Sequence, residues 1–171
     1  NGYGDLRNKA ISYCNGDWIF SLDSDERCTN KVKNEILSVI ENAEFDIYKL
    51  PRKNFFMGKE MTTCGWGRDI IIRFFNRKDF CFSNRKVHEK VEVSKSTKKI
   101  LLKGFLTHLS INNLSQTLQK ANLYSELYAK ENNTSYPILI IILKSFYAFF
   151  RSYFLQRGFL AGWRGFVLSV S

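Results

Sequence analysis

Asp17-Trp18-Ile19-Phe20-Ser21-Leu22-Asp23-Ser24-Asp25-Glu26 couples a short apolar run to an acidic turn. The run is aromatic and branched and reads as a buried strand. Before it, Asp5 to Cys14 places Leu6, Ala10, Ile11 and Cys14 on one helical stripe, and Asn15-Gly16 supplies a stop. After it, Val32, Ile36, Ile40 and Ala43 recur at helical spacing, with Thr29 or Asn30 as N-cap. Helix, strand, acidic loop and helix in this order belong to an open α/β sheet, in which ligands sit beyond the carboxyl ends of strands. Two carboxylates two residues apart at such a strand end, Asp23 and Asp25, can converge on one hard divalent cation, Mg²⁺ or Mn²⁺. A cation held there neutralises a diphosphate and stabilises it as a leaving group.

Further along the chain, residues 46–50, 70–75, 80–82, 91–93 and 105–109 read as short strands joined by polar turns. The loop 57–68 carries Gly58, Gly65 and Gly67 around Trp66. From about Asn112 helical spacing returns, through Leu114, Leu118, Ala121 and Tyr128. Ile138 to Leu143 and Phe146 to Phe150 form an apolar stretch interrupted at Lys144 and then at Arg151. The interruption comes too soon for the roughly 20 residues of a spanning helix. With no acidic residue after Glu131 and cations at Lys144, Arg151, Arg157 and Arg164, the segment reads as a basic helix in the headgroup region of a membrane. Residues 158–171 read as a turn into one more apolar helix. The division expected is a catalytic part over 1–110 and a helical, membrane-associating part over 111–171.

With 26 Lys+Arg against 16 Asp+Glu, the net charge of +10 predicts attraction to polyanions: nucleic acid, anionic lipid or phosphorylated substrates. Apolar residues at 44% rule out a disordered polymer. Cys14, Cys28, Cys64 and Cys81 form no C-x-x-C pair, so reduced thiols are expected rather than a disulfide framework or a zinc site. The competing reading is a basic membrane-surface or nucleic-acid-binding module without catalysis. The basic residues are scattered, however, and no RNP, KH or zinc-knuckle pattern occurs, so no nucleic-acid partner is expected.

Arg7-Asn8-Lys9-Ala10, Gly16-Asp17-Trp18-Ile19 and Leu22-Asp23-Ser24-Asp25-Glu26-Arg27 together resemble the central motif of inverting family-two glycosyltransferases of the GT-A fold. Leu50-Pro51-Arg52-Lys53-Asn54, Gly65-Trp66, Ile72-Arg73-Phe74-Phe75, Val87-His88-Glu89, Leu106-Thr107-His108 and Arg157-Gly158-Phe159 follow in an order similar to that of lipopolysaccharide-core glucosyltransferases and related bacterial surface-glycan transferases. The resemblance covers nearly the whole chain. It departs from the family at the start, where the portion that cradles the base and ribose has no counterpart. The chain also opens at Asn1, inside a helix-forming stretch, so an N-terminally truncated GT-A domain is expected.

The resemblance implies transfer of a sugar from a nucleotide-sugar, UDP-linked, to a lipid-linked or saccharide acceptor at the cytoplasmic face of the inner membrane. It maps Asp23 and Asp25 onto the metal and diphosphate motif, with His108 as a late addition to the metal shell. Arg7, Asn8, Asp23, Ser24 and Asp25 become nucleotide-sugar contacts. Glu89 is the first choice for the base that takes the acceptor proton, and Asp69 the second. Trp66, Arg73 and His88 are the acceptor-side candidates.

Overall fold

The computed structural model describes residues 3–83, 90–131 and 136–171. The chain forms two compact units. One comprises Asn1–Arg52 with Ile70–Thr107, the other Lys53–Asp69 with His108–Ser171. The tail therefore groups with residues 53–69 in one unit.

The first unit opens with α1 (Tyr3–Ser12), β1 (Trp18–Phe20), β2 (Glu26–Cys28) and α2 (Asn30–Glu41). β3 (Ile47–Phe56), β5 (Asp69–Asn76) and β7 (Leu106–Ile111) each run from one unit into the other, β4 (Lys59–Glu60) belongs to the second, and β6 (Lys99–Leu101) to the first. The strand order is β1-β5-β3-β7-β2, with β4 and β6 pairing β3 off this path. The sheet is mixed. β1 runs antiparallel to β5, Ile19 opposite Phe75, whereas β6 runs parallel to β3, Ile47 opposite Lys99.

Apolar residues explain this layering. Phe74 packs on one face with Val32, Ile36, Tyr48, Leu50, Leu102 and Leu106; its neighbour Phe75 packs on the other with Ile19, Ile47, Phe82 and Val91. A strand covered on both faces reads as a continuous apolar run, as Ile71-Ile72 and Phe74-Phe75 do on either side of Arg73. Trp18 stacks on Phe74, ring centroids 5.0 Å apart. α2 begins as expected: Thr29 caps it by accepting from the Val32 amide. Gly104 lets the β6–β7 turn close on that helix, because a Cβ there would lie 2.6 Å from Val32 Cγ2.

Three expectations need correction. Leu6, Ala10 and Cys14 are exposed, and α1 instead turns Arg7, Asn8 and Ile11 inward. Its anchor is polar: the Asn8 amide both donates to and accepts from the Phe82 backbone, at 2.8 Å each way. The segments at 80–82 and 91–93 yield only one bridge, Phe82 to Val91, rather than strands. β2, β4 and β6 were not foreseen, being short and polar or exposed.

In the second unit, α3 spans Leu114–Glu131 and α4 Ile138–Phe150. α4 continues as a π-helical turn over Arg151–Leu155, and a 3₁₀ turn (Gly158–Ala161) leads to α5 (Trp163–Val170). Ile138–Leu155 is one 18-residue apolar segment with mean hydropathy 1.7, none of it buried. At 1.5 Å per residue it measures about 27 Å. Lys144 folds its ammonium over the Tyr136 ring, 3.6 Å from the centroid. The π turn, the 3₁₀ turn and α5 pack tightly at glycines. A Cβ on Gly165 would fall 1.8 Å from the Gly158 carbonyl oxygen. Phe56, Met61 and Ile111 form this unit's buried cluster, flanked by Trp66, Val167 and Leu168.

Candidate functional site

β1 delivers the chain to the acidic turn. Ser21 N–H donates to the Arg73 carbonyl at 2.8 Å, which fixes the end of β1 against β5. The turn then closes on itself: Glu26 N–H donates to the Asp23 carbonyl, and the Asp23 N–H donates to Glu26 Oε2. Ser24 is exposed and Asp25 half-buried at its tip. The turn thus holds the two aspartates by the residue that follows them, Glu26.

Three arginines complete the arrangement. Arg7 and Arg73 each donate to one oxygen of the Asp23 carboxylate. Arg73 also reaches Glu26 Oε1 at 2.7 Å, and Arg52 reaches the same oxygen at 2.8 Å. The Glu26 side chain is wholly buried, and Arg73 is 8% exposed. Burial pushes the Asp23 carboxyl up, but the charges of Arg73 and Arg7 and the hydrogen bonds they donate hold it below the ordinary 3.8. Burial likewise opposes ionisation of Glu26. The hydrogen bond and charge of Arg73, helped by Arg52 and the Asp23 amide, still hold it below 4.5.

Sequence reasoning missed Glu26 and Arg52. The available signal for Glu26 was an acid directly beside the aspartate pair, opening a strand. Arg52 stood in the quoted stretch Leu50-Pro51-Arg52-Lys53-Asn54 without a role assigned to it, because only the pairing of β3 brings it to Glu26. Arg73, expected as an acceptor contact, lies buried with Nη2 committed to Asp23 and Glu26. Asn8, expected at the nucleotide, is engaged with Phe82. Arg7 lies over the Phe82 ring, 5.1 Å from its centroid, and also bonds Ser21 Oγ.

The second unit carries the other candidates. His108 on β7 bonds through Nδ1 to Asn54 Oδ1 at 2.6 Å, and Asn54 Nδ2 donates to Asp69 Oδ2 at 3.0 Å and to the Trp66 carbonyl at 3.3 Å. Two residues singled out for different roles, His108 and Asp69, thus meet on one buried asparagine. Trp66 is half-buried and packs edge-on against Phe56, ring centroids 6.1 Å apart. His88 and Glu89 lie outside the described residues.

Mg²⁺-type cations take one or two protein carboxylates and fill the rest of their shell with phosphate oxygens and water. Among the described residues no group of three or more His, Cys, Asp or Glu stands together as a metal site. Asp25 fits the sparse mode as a single carboxylate. Asp23 already faces two guanidinium groups, and a cation at its oxygens would meet their positive charge. Cys14, Cys28, Cys64 and Cys81 are free thiols.

Comparison with known proteins gives a consistent result. Residues 1–105 match the family model described as Glycosyl transferase family 2. An uncharacterized glycosyltransferase of Rickettsia typhi is 26% identical over 182 residues, covering 99% of this chain and 62% of that protein. Counterparts from Rickettsia prowazekii, 26% identical, and Rickettsia bellii, 27% identical, align over the same 99% of this chain and 62% of their own length. The chain therefore spans less than two thirds of these relatives.

Proposed function

The chain belongs to glycosyl transferase family 2, and from that premise we propose that it transfers a sugar from a UDP-linked donor to a lipopolysaccharide-core or other surface-glycan acceptor, with inversion. The observation that carries this reading is the Asp23-Ser24-Asp25 turn at the carboxyl end of β1, inside the region matched to the family. In this reading Asp25 is the carboxylate that holds Mg²⁺ or Mn²⁺ beside the donor diphosphate. A cation held there would supply positive charge to the diphosphate leaving group. Asp23 keeps Arg7 and Arg73 at the site, and their positive charge favours the same phosphates. Ser24, exposed between the two aspartates, is a further donor contact, as is Asn8 through the α1 position it fixes.

On the acceptor side a carboxylate takes the proton of the attacking hydroxyl while its oxygen bonds the anomeric carbon and the C–O bond to the diphosphate breaks. Glu89 is assigned this role, with Asp69 as the alternative. Trp66 and His88 belong to the acceptor side, Arg73 supports the site through Asp23, and His108 adds to the metal shell.

The acceptor is lipid-linked in this proposal, and the chain works peripherally on the cytoplasmic face of the inner membrane. Two features support that. Ile138–Leu155 is a largely apolar segment with none of it fully buried, and Ile138 to Leu143, Phe146, Tyr147 and Phe150 are exposed, far beyond the scattered apolar residues of an ordinary surface. The residues after Glu131 carry four cations and no acid, which suits anionic headgroups.

Incubation with a panel of UDP-sugars and Mn²⁺, with UDP release followed by chromatography, tests the proposal. UDP release that disappears on Asp25→Ala supports it. Equal release by both proteins removes Asp25 from the reaction.

A further inference from the structure

The 3₁₀ turn and α5 have two faces of opposite character. On the inner one, Ala161, Val167 and Leu168 pack together with Trp66 against the buried cluster of Phe56, Met61 and Ile111. On the outer one, Phe159, Leu160, Trp163 and Phe166 are exposed, as are Phe154 and Leu155 just before them. Phe149 and Tyr153 each set a ring against Phe166, centroids 6.1 Å apart, so the outer face continues that of α4. The segment after Glu131 has four cations and no acid. Exposed rings beside unopposed cations complement an anionic bilayer, whose acyl chains take the rings and whose headgroups take the charge.

The inner face grips the glycine loop. Cys64 N–H donates to the Gln156 carbonyl at 3.0 Å, and Arg164 Nη2 donates to the Met57 carbonyl at 3.2 Å. Cys64 sits at φ 55, a left-handed conformation that a residue with a side chain adopts at a cost, and the bond to Gln156 holds it there. Contact is close enough that a Cβ on Gly158 would lie 2.9 Å from Cys64 Sγ. Arg164 belongs to both faces, because its guanidinium also lies 4.6 Å from the centroid of the exposed Trp163 ring.

We propose that residues 154–170 seat on an anionic phospholipid bilayer through Phe159, Leu160, Trp163 and Phe166, and that the same segment, through Gln156 and Arg164, holds the loop carrying Trp66 at the membrane surface. The proposal rests on the membrane reading given above and deepens it: the turn and α5 link the lipid to the acceptor side. Trp163 then occupies the boundary between acyl chains and headgroups, where tryptophan is enriched. Seating restrains the outer face, and the two backbone contacts pass that restraint to residues 57–68. A lipid-linked acceptor meets such a loop at a fixed height above the bilayer.

The test uses the whole chain with vesicles of phosphatidylcholine and phosphatidylglycerol, prepared with and without bromine on the acyl chains. Brominated lipid is expected to quench Trp163, so that wild type loses more emission than Trp163→Phe. Phe159→Ser with Leu160→Ser, both exposed, is expected to weaken flotation about tenfold or more. Amide hydrogen exchange across residues 57–68 is expected to slow when the wild type binds vesicles, and to slow less in Arg164→Met at saturating lipid. Binding with equal quenching in wild type and Trp163→Phe overturns the seating surface and leaves Ile138–Leu155 as the membrane contact. Binding without slower exchange at 57–68, or equal slowing in Arg164→Met, overturns the link to the loop. Equal binding to phosphatidylcholine alone overturns the choice of an anionic surface. No binding to either vesicle refutes the membrane reading, and the proposal with it.

Discussion

Removing the Glu26 carboxylate should destabilise the first unit more than any exposed substitution in the turn. Its side chain is wholly buried and accepts from Arg73 at 2.7 Å, Arg52 at 2.8 Å and the Asp23 amide at 3.1 Å. Losing one member of a buried ion pair costs about 3–5 kcal/mol, because the remaining charge stays desolvated. Asp23 continues to compensate Arg73, and Arg52 is 19% exposed. Both facts move Glu26→Ala to the lower end, about 3 kcal/mol. Glu26→Gln keeps the volume and one acceptor but loses the charge, at about 2 kcal/mol. For a chain of this length 1 kcal/mol corresponds to about 2–4 °C in Tm, so the expected shifts are about 6–12 °C and 4–8 °C. Trp18, stacked on Phe74 in the core of the same unit, reports the transition once Trp66 and Trp163 are replaced by Phe. The double variant Glu26→Ala with Arg73→Ala should cost less than the two single changes added together, since the orphaned guanidinium is gone. A Glu26→Ala shift below about 2 °C, or strict additivity, would refute the view that this network holds the aspartate turn.

Three further outcomes follow from the same geometry. Asp23 and Glu26 both ionise below their ordinary values, so their contribution is complete above 4.5 and is lost as pH falls through the lower folded values; the urea midpoint of the first unit should therefore drop in acid, and a flat profile below pH 4.5 would contradict the ion network. Gly165→Ala must push α5 away from the Gly158 carbonyl, so it should cost the second unit about 1–3 kcal/mol by overpacking, read from Trp163 fluorescence in urea; a neutral effect would show that α5 does not pack as described. Lys144→Ala with Arg151→Ala should weaken binding to vesicles containing phosphatidylglycerol by about 2 kcal/mol, near thirtyfold, in a flotation assay; unchanged flotation would remove the headgroup contact from the account.

Much of the first unit could be read in advance because its signals are local. β1 and β5 announce themselves by apolar runs covered on both faces, and α2 by Thr29 at its start and Val32 and Ile36 along its buried stripe. β2 could not be read that way. Glu26-Arg27-Cys28 has neither alternation nor β-branched residues, and its extended form follows from pairing in the sheet and from the arginines that face Glu26. α1 misled for a related reason: Asn8 anchors it by imitating a strand partner for Phe82, a polar contact that apolar periodicity cannot reveal. At the tail, the helix was legible from its apolar run, and Lys144 is accommodated in it because its stem lies along the surface and its head finds an aromatic ring.

The site divides along the same line. Asp23 and Asp25 were legible because both the pair and the strand before it are contiguous in sequence. Arg7, Arg52 and Arg73 come from α1, β3 and β5, and only the assembled sheet brings them to one carboxylate pair. Asn54 stood only as the last residue of the stretch Leu50-Pro51-Arg52-Lys53-Asn54, with no role assigned to it. Its role depends on Trp66, Asp69 and His108 arriving from three other places in the chain.

Metal-dependent UDP binding tests the central assignment most directly. Calorimetric titration of UDP should show binding in the presence of Mn²⁺, loss of that binding when the cation is chelated, and the same loss in Asp25→Ala with its fold intact by circular dichroism. UDP affinity that is equal with and without Mn²⁺, or equal in wild type and Asp25→Ala, would contradict it.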